Sequence, residues 1–148
     1  MKLSGAVEQA CCILALLAEP RAHAPITNDT LAERMAVSPT YLQKISRKLV
    51  VAGLITSAQG AGGGFVLARQ MRDITLYDVV LAVEGEADFF QPQGIIERVF
   101  AARPRQVEIG MNMIEKVFAS AQQKWSEYLK TVTSWRSEER RVGKECRS

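Results

Sequence analysis

The chain has 148 residues, 47% hydrophobic and 24% charged, with a formal net charge of +3. That is the size of about one domain and the composition of an ordinary folded chain, which excludes a disordered, collagen-like or acidic-tail protein. The apolar run Gln9–Ala18 is far shorter than the ~20 residues that span a bilayer. No apolar core with a small-residue cleavage site marks a signal peptide, and Cys11, Cys12 and Cys146 make no secreted disulfide framework. A cytoplasmic protein without a membrane partner is expected.

Leu3–Ala18, rich in Ala and Leu, predicts a first helix that Pro20 ends. After an extended piece at Pro25–Ile26, Thr27 or Asn28 caps a second helix, Asp29–Ala36, with Leu31, Ala32 and Met35 inward. Val37 lies in a tight turn. Ser38 as N-cap and Pro39 at the first helical position start a third helix that stops at Gly53. Leu54–Ser57 and Phe65–Ala68 read as two strands of a hairpin with a glycine-rich tip, Gln59–Gly64. Thr75 caps a helix over Leu76–Val83, ended by Gly85, and Ala87–Gly94 is a linker. A short helix, Ile95–Ala101, precedes Pro104, and a long amphipathic helix covers Val107–Thr133. No internal repeat and no separate second domain is evident.

The charge is unevenly placed. Residues 1–72 carry a balance of +4, residues 73–135 one of −3, and the last thirteen +2. Met35–Arg72 contains Lys44, Arg47, Lys48, Arg69 and Arg72 without one Asp or Glu. Such a surface suits a polyanion, although a solvated face gives the same pattern.

Two short helices joined by a tight turn and followed by a two-stranded ribbon make a winged helix-turn-helix. The expected fold is therefore mostly α with a small β-hairpin wing, plus a long C-terminal dimerisation helix. Leu42, Ile45, Leu49 and Ala52 would form the packing face of the third helix. Thr40, Tyr41, Gln43, Lys44, Arg47 and Lys48 would then face outward, a mixture of hydroxyl, amide and cationic donors that can read base edges and grip phosphates. The helix start at Ser38-Pro39 adds backbone N–H groups and the positive dipole end. Lys44 and its neighbours would enter a major groove, while Gln59, Gly60, Gly62 and Gly63 of the wing would hold backbone.

These residues resemble the Rrf2 family of bacterial transcription regulators. The resemblance rests on Val37-Ser38-Pro39-Thr40-Tyr41-Leu42, Ala52-Gly53-Leu54-Ile55 and Gly63-Gly64-Phe65-Val66-Leu67-Ala68-Arg69. It continues through Ile74-Thr75-Leu76-Tyr77-Asp78-Val79-Val80 to Glu84-Gly85, and covers residues 1–85 in the family's order. Residues 86–135 fit the family layout of a linker and a dimerisation helix. The resemblance implies a winged-helix homodimer on a palindromic operator in double-stranded DNA, usually as a repressor and often answering to a small-molecule effector. Two-fold half-sites would lie ~34–36 Å apart.

Two departures matter. Family members usually carry Arg before the first wing glycine, where Gln59 stands here, so wing binding should be weaker or differently sequenced. The family's iron–sulfur members carry three close cysteines after the position of Glu84-Gly85, and this chain has none between residues 13 and 145. Without thiolates a cluster has no ligands, so no cofactor and no metal is expected.

Cys11 and Cys12 read first as small apolar core residues, with a redox-sensing thiol as the alternative and metal binding with His23 behind it. Val107, Met111, Ile114, Val117, Phe118, Ala121, Trp125 and Leu129 are the expected dimer face, with Tyr128 and Trp135 beside it. The glycine run of the wing lacks the Lys-Ser/Thr of a phosphate loop. One histidine and no nucleophile motif argue against an enzyme. A second class remains open: a redox- or ligand-responsive protein-interaction module that has lost DNA binding. Residues 136–148 break in composition and resemble a translated vector-junction sequence, so they read as a non-native tail, with a basic arm on DNA as the alternative.

Overall fold

The computed structural model of the chain describes residues 2–19, 24–60, 62–86 and 88–133. In chain order come α1 (Gly5–Leu17), α2 (Asn28–Met35), α3 (Pro39–Val51), β1 (Ile55–Ala58), β2 (Gly64–Leu67), α4 (Leu76–Glu84), α5 (Ile95–Val99) and α6 (Pro104–Thr131). His23, Trp135, Cys146 and the rest of residues 136–148 lie outside the described residues.

The described residues cluster into two compact units, Lys2–Gly85 with residues 129–133, and Glu86–Tyr128. The first holds the core. Ile13 and Leu14 of α1, Leu31 of α2, Leu42 and Leu49 of α3, Leu54, Ile55, Ile74 and Val79 of α4 are almost fully buried in one cluster. Each such side chain contributes about 1.5–3 kcal/mol relative to exposure, and together they fix how α3 is carried.

Local chemistry sets the element ends. The Ser4 hydroxyl accepts from the Ala6 N–H ahead of α1. Thr27, not Asn28, caps α2, its hydroxyl accepting from the Thr30 N–H at 3.2 Å. Thr75 and Asp78 form a reciprocal capping box at α4. Pro104 opens α6 instead of standing ahead of it, because a first-turn residue needs no N–H.

The turn between α2 and α3 is a Schellman closure. Val37 N–H donates to Ala32 C=O at 3.0 Å and Ala36 N–H to Glu33 C=O at 3.1 Å. Ala36 sits there at φ 54°, the one left-handed residue other than glycine among those described.

The wing is a two-stranded antiparallel sheet, pairing Ile55 with Leu67, Thr56 with Val66, Ser57 with Phe65 and Ala58 with Gly64. Ile26 extends it by one bridge, exchanging both backbone hydrogen bonds with Phe65 at 2.8 and 3.1 Å. Gly64 permits that approach: a Cβ on it would lie 2.6 Å from the backbone carbon and oxygen of Ile26.

In the second unit, the linker residues Phe89 and Phe90 pack on α6. Phe89 meets Trp125 edge to face at 5.3 Å between centroids, and Phe90 stacks on Phe118 at 5.0 Å. The Phe89 N–H donates to Gln122 Oε1 at 2.8 Å. Among the described residues no helix is long and apolar enough to cross a membrane.

Candidate nucleic-acid interface

A surface helix can present donors only if its opposite face is locked down, and α3 is locked down by Leu42, Ile45, Ser46 and Leu49. Ser46 is fully buried and its hydroxyl has no hydrogen-bond partner among the described residues. Its polarity hid it from a reading based on apolar spacing. Ala52, expected inward, is exposed at the C-cap of α3, since the chain leaves helical geometry there.

The start of α3 is held from its neighbour. Asn28 Nδ2 donates to the Pro39 carbonyl at 3.0 Å, joining the first turns of α2 and α3. Ser38 precedes the helix in extended conformation, but its side chain makes no capping hydrogen bond. That corrects the expected cap role; Pro39 at the first position leaves one unpaired N–H fewer in the first turn.

Thr40, Tyr41, Gln43, Lys44, Arg47 and Lys48 are all exposed. At 100° per residue, Thr40, Lys44, Arg47 and Val51 lie opposite the buried row, and Val51 is 83% exposed. Gln43 lies on one flank, Tyr41 and Lys48 on the other. Lys48 reaches across that flank: its Nζ donates to the Val83 carbonyl of α4 at 2.6 Å. Two of its three N–H donors remain.

Beside this flank is an open groove of about 720 Å³. Lys44, Arg47, Lys48 and Arg69 supply its positive wall, and Leu54 and Leu81 are part of its apolar floor. The local carboxyl Asp78 is engaged by the Thr75 N–H and hydroxyl at 2.8 and 2.9 Å. Arg69 stands in the basic stretch read from sequence but not in the expected interface set; its place two residues after β2 brings it to this groove.

At the wing tip Gly60 has φ +113°, and the Gly63 N–H donates to its carbonyl at 3.0 Å, closing a turn that residues with a Cβ rarely adopt. Gln59 and Gly62 are exposed there and Gly63 is half-buried.

The two cysteines differ. Cys11 is half-buried and packs against the core, whereas Cys12 is exposed and so is not a core residue as first read. Burial pushes the Cys11 thiol up, with the neighbouring Cys12 adding to the shift.

The expected dimer face also divides. Met111 and Leu129 are buried, Val107, Ile114 and Trp125 half-buried, and Phe118 and Trp125 are engaged by the linker rings. Ala121 is exposed, and Val117 belongs to another exposed row, with Ile109 and Met113 at intervals of four. Those two residues were missed because helical spacing alone cannot choose between two apolar rows.

The chain is 39% identical over 130 residues to YwgB of Bacillus subtilis (strain 168), covering 88% of this chain and 80% of that one. The name of that relative places it among HTH-type transcriptional regulators. In structure it is similar to T. potens IscR, with a TM-score of 0.61 and 26% identity over 90% of this chain and 82% of the other. It is similar also to CymR, the global cysteine regulator of B. subtilis, with a TM-score of 0.56 and 27% identity over 81% and 91% of the two chains.

A model of the Rrf2 family, described as an iron-dependent transcriptional regulator, matches residues 3–134. The residues here do not fit the iron of that description. The segment after Gly85 holds Glu86, Asp88 and Glu97 but no thiol, and iron–sulfur ligation needs cysteine. No group of three His, Cys, Asp or Glu converges on a metal site among the described residues. The match over residues 3–134 nonetheless spans most of the chain, and it is therefore a member of the Rrf2 family of transcriptional regulators and not an enzyme.

Proposed function

We propose that the chain represses transcription as a homodimer, placing α3 of each protomer in the major groove of a palindromic operator. The observation that carries this reading is the outward row of α3, Thr40, Lys44 and Arg47, backed by a buried row and flanked by Gln43. Lys44 and Arg47 neutralise phosphates, Thr40 and Gln43 supply donors and acceptors to base edges, and Tyr41 lies at the groove margin. The wing residues Gln59, Gly60, Gly62 and Gly63 follow the backbone, with the uncharged Gln59 ahead of the first wing glycine. A protein that works on DNA in this way acts in the cytoplasm.

The exposed row Ile109, Met113 and Val117 supports the dimer, since a contiguous apolar surface on a helix is normally covered by a partner. It borders a recess of about 780 Å³ whose rim includes Lys116 and Lys124. Fluorescence anisotropy of genomic fragments retained by the protein tests the reading. The Gln43→Ala variant should narrow the gap between operator and random DNA, and equal losses on both would overturn a base-reading role. In sedimentation, Val117→Glu should shift a dimer to monomer with loss of operator affinity.

A further inference from the structure

In the Glu86–Tyr128 unit, α5 and the first turns of α6 border a recess of about 320 Å³. Phe100, Met111 and Ile114 give it an apolar wall, and Arg103 and Gln106 are the residues of its lining with polar side chains. No carboxylate lines it, and Arg103 has no ion pair among the described residues. The volume lies at the lower end of the ~300–1,000 Å³ typical of small-molecule sites.

Gly110 forms part of the same lining, within the 28-residue α6. Glycine is the least favourable residue after proline in a helix interior. Packing does not explain it, because a Cβ built there meets no heavy atom within 4 Å. What the missing side chain leaves is open space in the recess.

We propose that this recess binds a small organic monocarboxylate with an apolar body of about ten non-hydrogen atoms. The Arg103 guanidinium pairs with both carboxylate oxygens through its planar fork. The Gln106 amide donates from the side, and the body lies against Phe100, Met111 and Ile114 in the space that Gly110 leaves. A single cation in a mostly apolar recess balances one negative charge, which favours a carboxylate over a doubly charged, strongly hydrated phosphate. A second copy of the chain is not the favoured occupant, since the row Ile109, Met113 and Val117 is centred about 90° around α6 from the recess lining.

The test is calorimetric titration of the full chain, without DNA, with sodium phenylacetate, sodium hexanoate and the uncharged phenylacetamide. Saturable binding of at least one carboxylate is expected, with phenylacetamide at least tenfold weaker than phenylacetate. Arg103→Gln should weaken the carboxylate at least tenfold, and Gly110→Leu should abolish binding while the helical circular dichroism is kept. Should Gly110→Leu fail to fold, the exposed Arg103 variant decides alone. No binding of either acid, equal binding of acid and amide, or an unaffected Arg103→Gln would each overturn the proposal. Because DNA is absent, loss of operator binding elsewhere leaves this result standing, and the reverse holds as well.

Discussion

The ammonium of Lys48 lies 2.6 Å from the carbonyl oxygen of Val83, so a residue of α3 serves the last turn of α4. Helix C-termini leave carbonyls without intrahelical partners, and a cation there also meets the negative end of the dipole. Lys44, one turn earlier, is exposed and has no hydrogen bond or ion pair among the described residues. The two lysines should therefore separate. Lys44→Ala should reduce the salt dependence of DNA affinity by about one unit of slope without lowering the melting temperature. Lys48→Ala should lower stability by about 1 kcal/mol with a smaller change in slope. Anisotropy at several salt concentrations and thermal melts measure both, and equal slope changes would contradict the division.

Gly64→Ala should lower stability by roughly 1–3 kcal/mol, since the added methyl would lie 2.6 Å from the Ile26 backbone and part the bridge to Phe65. Hydrogen exchange should rise at the amides of Ile26 and Phe65 first. Gly62→Ala, where the Cβ meets nothing within 4 Å, is the control and should melt like the parent chain.

Glu84 accepts from the Ser4 hydroxyl at 2.6 Å and from its N–H at 2.7 Å. Those bonds, the hydroxyl first, hold its carboxyl below the usual carboxylate range. A lowered folded value stabilises the fold above the unfolded value, about 4.3, and the contribution disappears as pH falls through the folded value. Because Glu84 is exposed, solvent keeps the effect small. Glu84→Gln should melt slightly below the parent at pH 7, and the gap should close below about pH 4. A gap that widens on acidification would refute the assignment.

Cys12 should react with iodoacetamide at pH 7.5 about tenfold faster than Cys11, because burial both shields the Cys11 thiol and disfavours its thiolate. Peptide mass spectrometry over a time course reads the order directly. If oxidants alter DNA affinity, Cys12→Ser should remove the response.

Much of the fold was legible because its signals are local. Pro39 after Ser38, Thr75 three residues before Asp78, and the glycines of the wing tip each constrain only neighbouring backbone. Residues whose role depends on distant partners were not legible. Ile26 reads as extended, but its bridge to Phe65 joins positions far apart in the chain. Phe89 and Phe90 read as linker, since nothing nearby indicates that their rings rest on Trp125 and Phe118. Lys48 looked like another outward cation because the carbonyl it reaches belongs to a helix 35 positions on. The outward row of α3 could be read from spacing, since α3 has one clear apolar stripe. The apolar rows of α6 could not, since it has two.

Ala36 holds its left-handed turn at φ 54° against a local cost of about 1–2 kcal/mol for a residue with a Cβ. Its neighbours on either side, Leu31, Ala32 and Leu42, are buried deeply enough to enforce it. The joint ahead of the reading helix therefore carries unused headroom for improvement. A selection for heat resistance over every amino acid at position 36 should enrich glycine first and asparagine next, at the expense of the natural residue.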